Sequence, residues 1–201
     1  MHTGRVATTR RAVGTLLAAL AATALSAGAP ASAEPVDECA VAASWAERII
    51  ASTDATLPPG WSVVLDCDPD AIWTGVTYPD DREITIWLTH FDDAGHLVAL
   101  WLHELGHAYD VAVLDDRARD FWRVHRGIDP DVPWVDHTPL DERDTSKWGN
   151  EPSEDFAESF AYCIDPDDTH WWEPMGNEPP TAAQCRVMEQ LTGVPMPHGA
   201  E

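Results

Sequence analysis

Positive charge is what this chain has least of. Twelve Lys and Arg stand against 35 Asp and Glu, for a formal net charge of −23. So acidic a chain lacks the clustered cations that a nucleic-acid backbone requires, which excludes nucleic acid as a general partner. Cysteine is scarce as well. Only Cys39, Cys67, Cys163 and Cys185 are present, and no pair has C-x-x-C spacing, which argues against a cysteine metal site. No stretch beyond residue 25 is apolar enough to span a bilayer. There is no internal repeat. What remains is a soluble acidic protein whose copies repel one another, so a monomer is expected.

The few cations present at the start are informative. Arg5, Arg10 and Arg11 precede an apolar stretch over 12–25, and Ala31-Ser32-Ala33 supplies an A-x-A cleavage site. The pattern predicts a secretory signal peptide over 1–33 and a mature chain from Glu34. The Arg10-Arg11 pair is read as an ordinary positive leader rather than a twin-arginine signal. Residues 34–201 are then one secreted domain, without a membrane anchor. Its nine remaining cations face all 35 acids, a net charge of −26. An even number of cysteines in an exported chain predicts two disulfides. Of three possible connectivities, Cys39–Cys67 and Cys163–Cys185 are expected, because each joins neighbouring elements. No pro-segment is visible after Glu34, so no zymogen step is expected.

The pattern predicts a helix over 37–52, capped by Asp37, with Ala40, Val41, Ala43, Trp45, Ile49 and Ile50 as its apolar positions. Strands follow at 61–65, 72–77 and 83–88, the last of them β-branched. A long helix runs from 92–95 to Val113. The next spans 115–125, with Phe121 and Trp122 directed inward. A Pro- and Asp-rich loop covers 127–152. A helix capped by Ser153 ends before Asp165-Pro166. The last helix, 181–191, stops at Gly193. Helix, strands, then helices make an α+β domain.

Within the long helix, His103-Glu104-Leu105-Gly106-His107 reads H-E-x-x-H. Four residues are slightly more than a turn, so both imidazoles leave the same face and can share one metal ion. That suits Zn2+, with Glu104 beside it as candidate general base. A catalytic zinc commonly takes a third protein ligand. The extension H-x-x-G-x-x-H fails, because Asp110 and Val113 occupy the Gly and final His positions. Glu154 and Glu158 lie four apart on one helical face, opposite Phe156, Phe160 and Cys163, and either could supply that ligand. Asp110, three residues after His107, could orient a ligand ring or simply end the helix. Trp134, Trp148, Trp171 and Trp172 flank the expected cleft, with packing as their default role.

H-E-L-G-H-A-Y-D at 103–110, followed by E-D-F-A-E-S-F at 154–160, resembles the gluzincin branch of the zincin metallopeptidases, in particular the catalytic-domain type of anthrax lethal factor. There an H-E-F-G-H helix is followed by an E-F-F-A-E-A-F helix whose first Glu binds zinc. The resemblance implies zinc held by His103, His107 and Glu154, with Glu158 as the supporting carboxylate. It also implies a small mixed sheet whose edge strand, 83–88 here, pairs with an extended peptide substrate. The likeness breaks at the Tyr that this family places seven residues before the Glu ligand as a transition-state donor. Here Trp148 falls six residues before Glu154, and an indole offers only its N–H. His125, His137, Arg143, Tyr162 and His170 are the other candidates for that role. The expectation is a secreted zinc metallopeptidase acting on peptide or protein. The alternatives are a zinc hydrolase of a non-peptide amide, such as cell-wall material, and a zinc-holding or toxin-like module without turnover. Glu104 argues against the last, since a module without catalysis needs no base.

Overall fold

Most helices start where the sequence supplies a side-chain oxygen to the first free backbone N–H groups. Asp37 accepts from the amides of Cys39 and Ala40 and opens α1 (Glu38–Ser52). Asp93 accepts from His96 and opens α2 (Ala94–Val113). Asp115 accepts from Ala118 and opens α3 (Asp116–Arg126). Thr181 and Gln184 form a reciprocal capping box at α5 (Ala182–Thr192). α3 and α5 both end on a glycine with positive φ, Gly127 and Gly193. The exception is α4 (Pro152–Ile164), where Glu151 is the N-cap and makes no side-chain cap bond. Pro152, pre-set to a helical φ, begins the helix ahead of Ser153. The predicted cap therefore lies inside the helix, buried.

The computed structural model describes residues 37–91, 93–135, 149–167 and 174–197. All of them belong to the unit that spans Val36–Glu201. The predicted signal peptide, and with it the Arg10-Arg11 pair, lies outside the described residues. So do His137, Arg143, Trp148, His170, Trp171 and Trp172.

Three strands form one sheet in the order β1-β3-β2: β1 (Ser62–Asp66), β2 (Gly75–Tyr78) and β3 (Glu83–Trp87). β1 runs parallel to β3 and β2 antiparallel to it. With five helices around this sheet, the described residues form the α+β arrangement that the sequence predicts. One expectation is corrected. The strand at 83–88 is the central one, not an edge. Ile84, Thr85 and Ile86 are all buried, so both faces of β3 are covered. Its β-branched run reflects that central place rather than an outward edge. The edges are β1 and β2.

Ile84 and Ile86 stand opposite Val63 and Leu65 on one side, and opposite Thr77 and Gly75 on the other. Directly opposed residues share a face of the sheet, and this face looks onto α2. On α2, Leu97, Leu102, Leu105 and Ala108 are fully buried. α2 also packs against α4, and α4 against α5. Cys39–Cys67 fastens α1 to the end of β1, and Cys163–Cys185 fastens α4 to α5. Both bridges match the expected pairing, and no cysteine is free. Among the described residues no helix is long and apolar enough to cross a membrane.

One inward assignment fails. Trp122 is fully buried, but Phe121, one residue earlier, points outward at 45% exposure. The buried positions of α3, Trp122, Arg123 and Arg126, share one face, and at about 100° per residue Phe121 falls on the opposite one. On α1, Val41 is exposed and Ala46 is the buried position.

Candidate metal centre

Gly106, inside the H-E-x-x-H motif, decides how closely α2 and α4 approach. A Cβ there would stand 2.7 Å from the Cα of Ala157 and 3.0 Å from its carbonyl oxygen. Two small residues thus let the helix backbones touch. Gly106 lies between His103 and His107 in sequence, and Ala157 lies between Glu154 and Glu158. The contact therefore sets two imidazoles against two carboxylates.

Nε2 of His103 and Nε2 of His107 are 3.2 Å apart. Oε2 of Glu154 is 3.2 Å from the first and 3.4 Å from the second. Donors on a tetrahedral zinc, each about 2.0–2.1 Å from the ion, stand about 3.3–3.4 Å from one another. The three atoms already have that separation. These residues each offer one ligand atom and could hold a metal ion. The site is largely sheltered, with side-chain exposures of 13% for His103, 18% for His107 and 11% for Glu154.

Glu158 does a different job. Its Oε2 lies 3.0 Å from Nδ1 of His103. A proton on Nδ1 directed at this carboxylate leaves Nε2 with its lone pair toward the Glu154 side. Of the two carboxylates that the residue pattern left open, Glu154 is the one placed to complete a donor set, and Glu158 meets the far nitrogen of the His103 ring.

The same contacts shift how these groups hold protons. Burial disfavours the imidazolium of His103, yet the hydrogen bonds and negative charges of Glu154 and Glu158 outweigh it and keep the ring's pKa well above its ordinary value. Burial acts likewise on His107, and Glu154 again raises the pKa. Burial would lift the Glu154 carboxyl, but the two imidazoles hold it far below the usual carboxylate range. A cation replacing those protons meets a donor set already arranged around positive charge.

Glu104, 6% exposed, is directed toward β2. Its Oε2 accepts from the hydroxyl of Thr77 at 2.7 Å, and the same hydroxyl lies 3.0 Å from the Glu104 carbonyl. Asp110 is a correction. Its carboxylate oxygens accept from Nε of Arg119 and Nε1 of Trp134, each at 2.8 Å. Asp110 thus binds α3 and the segment after it, and orients no histidine ring. Trp134, also in contact with Phe156, Arg119 and Arg123, is a packing residue. His125 is exposed and bonded to the Phe121 carbonyl on α3. The backbone amide of Ser153 donates to the Trp134 carbonyl at 3.1 Å and holds the start of α4 next to Glu154.

The residue pattern did not single out Gly75, Thr77, Asp155 or Arg126. A glycine inside a strand signals close approach of a neighbour, and that could have drawn attention to Gly75. Nothing local to 155 or 126 announces that the two side chains meet.

The two glutamates predict unequal losses. Glu154→Ala is expected to weaken zinc binding far more than Glu158→Ala, whose cost is about 10–100-fold, as for loss of a ring's supporting carboxylate. Competition with a chromophoric chelator measures both. A filled site in Glu154→Ala beside an empty one in Glu158→Ala would reverse the assignment.

No family model, curated protein or solved structure matches the chain.

Proposed function

We propose that this chain is an exported, zinc-dependent metallopeptidase of zincin type. The observation that carries the reading is the triangle of His103, His107 and Glu154 donor atoms, 3.2–3.4 Å on each side, with Glu104 on the same helix. Two imidazoles and one carboxylate suit zinc and leave room for a fourth ligand. Bound there, zinc supplies a Lewis acid that makes a water nucleophilic near neutral pH and polarises the scissile carbonyl.

The chain's own groups supply the rest. His103, His107 and Glu154 hold the ion, and Glu158 fixes the tautomer of His103. Glu104 takes a proton from the attacking water and delivers it to the leaving amine. β2 lies at the edge of the sheet, on the side joined to α2 through Thr77. Its outward edge suits an extended peptide by strand addition, the role first expected of the strand at 83–88. The paired disulfides fit an extracellular setting.

Metal analysis of the purified chain is expected to give one zinc per molecule. Phenanthroline should abolish cleavage of a peptide library, followed by mass spectrometry, and added zinc should restore it. Full activity in metal-free protein would refute the proposal. Cleavage of a cell-wall amide with no peptide cleaved would move the substrate class while keeping the metal.

A further inference from the structure

Glu104 has a long side chain whose rotamers must be restrained if the carboxylate is to work at one place. The restraint comes from β2. Gly75 and Thr77 are two residues apart in a strand, so they present the same face, and that face meets Glu104. Thr77 places its hydroxyl 2.7 Å from Oε2 of Glu104. At Gly75, a Cβ would lie 3.0 Å from Cγ of Glu104 and 3.1 Å from its Oε1. One position donates to one carboxylate oxygen, and the other leaves the room that the second oxygen fills. Any larger residue at 75 would press on the carboxylate from the strand side.

We propose that Gly75 and Thr77 are positioning residues for Glu104, and that this short edge strand fixes the orientation of the general base. The inference rests on the peptidase reading in that Glu104 is its base, but its geometry stands apart from any substrate. Loss of the Thr77 hydroxyl frees the carboxylate to rotate while His103, His107 and Glu154 stay in place. A displacement of about 1 Å at a reacting group costs on the order of 100-fold in rate.

The experiment compares Thr77→Val, Thr77→Ser and wild type as full-length, zinc-loaded proteins. The probe is the best-cleaved peptide of an internally quenched library. Thr77→Val is expected to lower kcat by roughly 10–100-fold with KM, zinc content and melting temperature near wild type, and Thr77→Ser to restore kcat. Gly75→Ala should lower kcat in the same way. Crystal structures of the two Thr77 variants supply a readout independent of turnover. The Glu104 carboxylate should leave its place in the Val variant and keep it in the Ser variant. Wild-type kcat in Thr77→Val, an unmoved carboxylate, or a Ser variant as impaired as Val would each overturn the proposal. Should wild type cleave no peptide, the peptidase reading falls, and the crystallographic comparison still decides what Thr77 does.

Discussion

Glu104→Gln is expected to fold, to keep zinc at the native ratio and to lose about 10²–10⁴-fold in turnover, toward the upper end because one carboxylate serves twice. Gln is close to Glu in size, and its amide oxygen can still accept the Thr77 hydroxyl, so packing against β2 survives. An amide has no usable basicity at neutral pH, so the proton transfer is lost. His103, His107 and Glu154 are untouched. Zinc content, folding and rate should be measured on one preparation. A folded, zinc-loaded variant with near-wild-type turnover would remove Glu104 as the base and leave the metal site standing.

The second large effect concerns stability. Asp155 is fully buried and receives Nε and Nη2 of Arg126 at 2.9–3.2 Å, Nε1 of Trp122 at 3.1 Å and Nδ2 of Asn177 at 2.9 Å. Arg126 also donates to the Glu178 carbonyl and to Gln184. One carboxylate therefore gathers α3, α4 and the segment leading to α5. Asp155→Ala leaves a guanidinium buried with no countercharge from this residue. It is expected to lower unfolding free energy by about 3–5 kcal/mol, a large share of the roughly 5–15 kcal/mol that a domain commonly has. Urea unfolding at fixed zinc concentration measures the loss. Asn177→Ala removes a single donor to the same carboxylate and should cost about 1–2 kcal/mol. A midpoint for Asp155→Ala within experimental error of wild type would show that the ion pair contributes nothing.

The features legible in the sequence are the local ones. Asp37 and Thr181 announce their helices because a cap and the amides it satisfies lie within three residues. The H-E-x-x-H helix is legible because four-residue spacing alone puts two imidazoles on one face. The cysteine pairing followed from neighbouring elements. What stayed hidden depends on partners far along the chain. β3 could not be placed at the centre, because strand order is set by β1 and β2 together. The sequence of α4 divides into two faces, Glu154 and Glu158 opposite Phe156, Phe160 and Cys163. Yet Pro152 to Ala161 are all buried, and the carboxylates there find partners far along the chain, Glu158 at His103 and Asp155 at Arg126. Nothing near Asp155 in the sequence points to Arg126, and Thr77 closes the expected strand with no sign of Glu104.

The burial of α4 on every side ties its stability to its neighbours. Thirteen residues rich in acids make a marginal helix in water, so α4 persists only when docked. It needs α2 through the Gly106–Ala157 contact, α3 through Arg126, and α5 through the Cys163–Cys185 bridge. A nascent or half-folded chain that ends before Pro152 has both imidazoles but no third donor. If the cluster binds a metal as proposed, its donor set is complete only once α4 has docked. A bound ion would favour the finished fold by mass action, by about 2.7 kcal/mol at a free concentration one hundred times the Kd. On that reading folding and metal binding are coupled, and an incompletely assembled chain lacks the third donor.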